Sequence, residues 1–263
     1  MMRRVPVVLA VPGLLALVVV GLPLVGLVAR APWSDAAEVV ARPATAQALR
    51  LSLATSTLAA LAAVALGVPL AWLLARSELP GKAAVRALAT LPLVLPPVVG
   101  GVALLAAFGR RGLAGRWLDR VAGVTLPFRP AGVVLAQLFV ALPFVVITVE
   151  AGLRLVDSRY EQAAATLGAG PWTAFRTVTL PLVAPSLGAG AALAWSRALG
   201  EFGATITFAG SLPGRTETLP SAVYVALEAD PGAALVLSVV LVAVSVGVLV
   251  ALRGRWIRLA VPR

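Results

Sequence analysis

The stretch EQAAATLGAG, Glu161 to Gly170, followed closely by VTLPL, Val178 to Leu182, decides how this chain is read. It is a short, small-residue segment with its charge at one end, placed between two runs long enough to cross a bilayer. Asp157 or Ser158 can cap a helix here, and Glu161 in the first turn is favoured by the helix dipole. Ala163, Ala164, Ala165 and Leu167 extend it with a shallow face, and Gly168 or Gly170 can end it. Pro171 starts a second helical piece carrying Trp172 and Phe175, and Pro181 is predicted to break that piece where the next span begins. A face of alanines allows backbone-level approach by another protein. The competing reading is an amphipathic helix lying on lipid headgroups.

The surroundings of this segment set the fold class. The chain has 263 residues, 60% hydrophobic and 13% charged, with a mean hydropathy of +0.98. One soluble core cannot hold such a composition, and about 20 apolar residues in a helix cross a bilayer core. Six windows reach that length: Val7 to Val28, Leu51 to Ala75, Ala84 to Phe108, Ala131 to Leu153, Leu182 to Ala209 and Ala233 to Leu252. The expectation is an all-α membrane protein in contact with lipid. The first window follows Arg3 and Arg4 as a secretory signal would, but its apolar run is too long for one, so it reads as a retained span.

Several chemistries are excluded. With no cysteine and no histidine, the chain lacks disulfides, thiolate chemistry, histidine bases and the usual zinc ligands. No metal site or catalytic residue is expected. Lys82 is the single lysine and sits in no phosphate-cradling loop, so any ATP and magnesium would be bound by another subunit. Of the acidic residues only Glu201 lies well inside a window, which argues against an ion-driven secondary transporter. The net charge of +11 is assigned to membrane-flanking loops, with no nucleic-acid partner. With both termini on the cytoplasmic side, twelve basic residues fall inside and nine outside, Arg197 lying within a span. The loop from Arg110 to Arg129 holds five arginines on the outer side and runs against that preference.

The spacing around Glu161 resembles the cytoplasmic signature of integral subunits of binding-protein-dependent ABC importers: E-A-A, three residues, G, nine residues, I-x-L-P. Ala163 and Ala164 fall on the two alanines, Gly168 on the glycine, and Val178, Leu180 and Pro181 on the closing residues. Gln162 stands at the glutamate position, with Glu161 one place early. The resemblance implies that residues 157–181 form a coupling helix docking on an ABC ATPase subunit. It implies a type I permease fold of six helices, a second copy of the chain as partner, two ATPase subunits, and an extracytoplasmic oxyanion-binding protein. The implied location is a bacterial-type cytoplasmic membrane. The chain divides accordingly into a first span and outer loop (1–49), a transmembrane domain (50–255) and a cytoplasmic tail (256–263).

A second segment bears on cargo. In SRALGEFGATITFAG, Ser196 to Gly210, Arg197 and Glu201 are four apart, share a helix face and can neutralise each other in the bilayer. Thr205 and Thr207 add hydroxyls, and the face is assigned to a translocation path, with simple pinning of helix packing as the alternative. This phrase, with PGRTETLP and with LPLVLPPVVGG at Leu91 to Gly101, resembles the molybdate branch of the permeases; sulfate permeases share part of it. Tungstate is not separable from molybdate on these grounds. Pro92, Pro96 and Pro97 are predicted to kink the third span.

Overall fold

The computed structural model describes residues 7–260. It is built of thirteen α-helices joined by short connections, with no strand among the described residues. In chain order they are α1 (Val7–Arg30), α2 (Trp33–Ala41), α3 (Pro43–Arg76), α4 (Lys82–Thr90), α5 (Pro97–Phe108), α6 (Gly115–Ala122) and α7 (Pro130–Leu155). There follow α8 (Arg159–Thr166), α9 (Pro171–Ala174), α10 (Leu180–Leu199), α11 (Gly203–Ala209), α12 (Leu219–Ala229) and α13 (Pro231–Ala260). Arg3, Arg4 and residues 261–263 lie outside the described residues, and α13 runs on through the start of the tail.

Five of these stretches are long and apolar enough to cross a membrane, and six if the bent pair α4–α5 counts as one crossing. The core lies where α3, α7 and α10 meet. Ala59, Ala63 and Ala71 of α3, Val145, Val149 and Leu153 of α7, and Val183, Ala194 and Ala198 of α10 are all buried there. Lipid tails are as apolar as these side chains, so the association rests on close van der Waals packing, which small residues permit. Gly190 shows how close: a Cβ there would meet the Thr148 hydroxyl and lie 3.2 Å from the Val145 Cα. Gly152 abuts the Ser186 side chain in the same way.

The proline-rich third window is not one kinked helix. α4 and α5 are bent by 117° across a short 3₁₀ turn at Leu91–Leu93 and an extended Pro96. Adjacent prolines at 96 and 97 remove two successive backbone donors, so the helical ladder stops rather than bends. The pair still climbs along α7. Ala89 packs with Val146, while Gly100 faces Phe139 and Leu104 packs with Ala136 and Val140.

The fifth window also differs from expectation. The helical path begins at Pro171, well before Leu182, and stops at Leu199, so Arg197 and Glu201 do not share a continuous helix. Pro181 does not break it. A π-helical turn at Phe175–Thr179 precedes α10, and its wider coil absorbs the missing donor and crowded ring of Pro181 in the first turn of α10. The short helices α2, α6 and α12 were not legible as separate elements. α12 docks through Leu219, whose N–H donates to Ser52 Oγ at 2.7 Å, and Arg42 pairs with Asp230 at 3.3 Å between α12 and α13.

Candidate functional site

The segment after α7 is shaped at both ends by its own sequence. At its start the Asp157 carboxylate accepts the Arg159 N–H at 2.9 Å, while the Ser158 side chain makes no capping bond. At its end Gly168 adopts φ of +86°, the left-handed conformation that favours glycine. The Ala169 N–H reaches the Ala164 carbonyl and the Gly168 N–H reaches the Ala165 carbonyl, each at 3.0 Å. These are the two reverse bonds of a Schellman cap, so the glycine of the spacing motif closes α8. Gly170 is extended and hands the chain to Pro171 at the first turn of α9.

α8 contains no buried residue. Gln162 and Ala163 face outward, Ala164 is half-buried and Gly168 is exposed. Around them stand large apolar groups with little cover, including Leu155, Tyr160, Leu167 at 89% exposure and Trp172 at 71%. Trp172 stacks on Phe175 with ring centroids 5.6 Å apart, which holds the indole in place. An apolar rim around a short alanine-faced helix is a surface suited to a protein partner.

Glu161 points the other way. Its Oε1 accepts from Thr179 Oγ1 at 2.8 Å and lies 3.4 Å from Arg76 Nε. Val178 and Leu180 are half-buried, and Pro181 is more exposed, on the rising chain that follows. Of the eight residues singled out in this segment, Gln162, Ala163 and Gly168 therefore meet solvent, while Glu161 meets its own chain.

The second cluster lies deeper. Arg197, near the end of α10, pairs with Glu201 Oε2 at 2.5 Å, and Glu201 Oε1 accepts the Ala204 N–H at 2.8 Å. One carboxylate thus joins the cation at the C-terminal end of α10 to the free N–H groups that open α11, both favourable by helix polarity. Glu201 and Thr205 are buried, and Arg197 is 31% exposed through its side chain. Thr207 donates to the Gly203 carbonyl at 2.8 Å and packs against Gly101, where a Cβ would come within 2.5 Å of the Thr207 Cβ. In this conformation the cluster fastens α10, α11 and α5 together.

A third charged group was not singled out in the sequence. Glu150 of α7, its side chain 8% exposed, accepts from Arg86 of α4 and from Arg154 one turn on, with closest contacts of 2.6 Å and 2.8 Å. The signal was the four-residue spacing of Glu150 and Arg154. The distant Arg86 had none.

The arrangement is that of a polytopic membrane protein with an exposed short helix between two of its long apolar helices. Its fold is that of ABC importer permeases. It superposes on a subunit of a bacterial ABC transporter involved in alginate import with a TM-score of 0.78, covering 97% of this chain and 95% of that one at 16% identity. It superposes on the inward-facing methionine ABC transporter with a TM-score of 0.64, covering 82% and 96% of the two chains at 17% identity. Residues 63–259 match the binding-protein-dependent transport system inner membrane component family, and the chain belongs to that family. It is 47% identical to the molybdenum transport system permease protein ModB of Mycobacterium tuberculosis, over 93% of this chain and 92% of that protein. Identity is 43% to the Escherichia coli K12 protein of the same name, over 80% and 92% of the two. It is 37% to the Escherichia coli K12 sulfate transport system permease protein CysT, over 84% and 82%.

Proposed function

We propose that this chain is the membrane subunit of an ATP-driven importer of molybdate, tungstate being handled alike. The observation that carries the cargo is the identity to molybdenum permeases, 47% over nearly the full length of both chains, against 37% to a sulfate permease. Two copies form the translocation path between them, with both termini on the cytoplasmic side. A separate ATPase pair binds ATP and magnesium; this chain holds no cofactor. The ATPase docks on α8 through Gln162, Ala163, Ala164 and Gly168, with Leu167 and Trp172 as apolar anchors. A binding protein delivers the oxyanion to the opposite face.

ATP binding draws the two ATPase subunits together and with them the two docked helices, and the spans follow into an outward-facing state. Hydrolysis reverses the shift. Each ligand moves this equilibrium only by its differential affinity for the two states.

The test is ATPase activity of the complex reconstituted with its ATPase and binding protein, loaded with molybdate, tungstate or sulfate. Stimulation by molybdate and tungstate but not sulfate is expected. Stimulation by sulfate alone overturns the cargo and keeps the machine, and favours the sulfate reading that the CysT similarity supports.

A further inference from the structure

A docking helix without a buried residue has almost no apolar packing to fix it to the membrane body. The contact that does so is polar. Arg76 is the last residue of α3, and its Nη2 donates at 2.9 Å to the carbonyl of Val156, the residue that ends α7. Its Nε is buried, makes no hydrogen bond, and faces Glu161 Oε1 of α8 at 3.4 Å. The same Oε1 accepts from Thr179 at 2.8 Å, and Thr179 is buried in the π turn just before α10. One guanidinium and one carboxylate therefore join α8 to the ends of α3, α7 and α10, the three helices that share the core. The Arg76 side chain is 16% exposed and that of Glu161 24%, so water screens the pair only in part.

We propose that Arg76 is a positioning residue for coupling: it ties the docking helix to the spans, so that a push on α8 moves α3, α7 and α10 together. Glu161 is the inner half of this tie and not a contact to the ATPase. The inference rests on the coupling role given to α8 above. With Arg76 removed, Glu161 keeps its bond to Thr179 but loses the link to the ends of α3 and α7, so the helix follows its partner and those spans no longer follow the helix.

The test compares R76M, E161Q and the double variant by two readouts. On the solubilised full chain alone, amide exchange across residues 159–169 is expected to rise roughly tenfold in either single variant, with the double no greater than either. In the complex with the ATPase, all three variants are expected to retain ATPase capture and hydrolysis while uptake per ATP hydrolysed falls severalfold. R76K, which keeps the charge without the planar fork, is expected to recover part of the loss. Unchanged exchange in R76M, strictly additive effects, or loss of ATPase capture in E161Q alone overturns the proposal. If the wild-type chain captures no ATPase while exchange still responds to R76M, the coupling role of α8 falls and the tie stands as a local structural link.

Discussion

Replacing Glu150 with leucine tests how much of the membrane body is held by one buried acid. The carboxylate receives two hydrogen bonds from each neighbouring guanidinium to its Oε1, at 3.1 and 2.6 Å from Arg86 and 3.1 and 2.8 Å from Arg154. A hydrogen bond to a charged group contributes about 1.5–3 kcal/mol, and breaking a fully buried pair costs about 3–5 kcal/mol. The arginine side chains are 37% and 55% exposed, so water recovers much of what they lose. We therefore take the low end for each partner, about 3 kcal/mol in all, and subtract about 1 kcal/mol for the apolar burial that leucine gains. The net loss is about 2 kcal/mol, or about 4–8 °C in Tm for a chain of this size. The assay is thermal unfolding of the purified chain in detergent. Arg154→Met, which leaves Arg86 in place, is expected to lower Tm by less than half as much. A Glu150→Leu variant that melts at or above the wild-type temperature would refute the reasoning, because the two unpaired arginines would then cost nothing.

Two further outcomes follow from local geometry. At Gly168 an added Cβ meets nothing within 4 Å, so Gly168→Ala tests the +86° backbone alone, at a cost of about 1–2 kcal/mol to the α8 cap. Gly168→Asn, which tolerates that conformation better, should retain more uptake per ATP, and equal losses in the two variants would show that φ is irrelevant. The Asp230 carboxyl is held below its usual range, first by the Ala233 N–H, with burial opposing it and Arg42 then adding to the lowering. A depressed folded-state pKa contributes stability above the ordinary carboxylate range, and that contribution is lost as pH falls through the folded value. Acid melting of Asp230→Asn should accordingly be flatter than that of the wild type over this window, and parallel curves would remove Asp230 from the pH dependence.

The sequence showed some features of this fold plainly and others not at all. Long apolar windows disclosed the spans because membrane length imposes a minimum that composition reveals. Gly168 was legible because a left-handed cap has few residue choices. The direction of Glu161 was not: successive helical residues point about 100° apart, so Glu161 and Gln162 necessarily face different ways, and spacing alone does not say which faces in. Arg76 lies 85 positions before Glu161, and such a pairing exists only once α3 and α8 have been brought together by the fold. The Glu150 network was not legible either, because its partner Arg86 lies 64 positions away. The prolines misled in both directions. Pro96 and Pro97 stop a helix that was expected to kink, whereas Pro181 is carried through by a π turn that no residue pattern announces.

The first helix, α1, has no buried residue in its apolar window and touches the body mainly along α13. Its 24 residues contribute almost nothing to the packing that holds the other crossings together. The family match begins at residue 63 and passes it by. α1 therefore turns nearly all of its apolar surface outward, toward whatever lies beside it in the membrane.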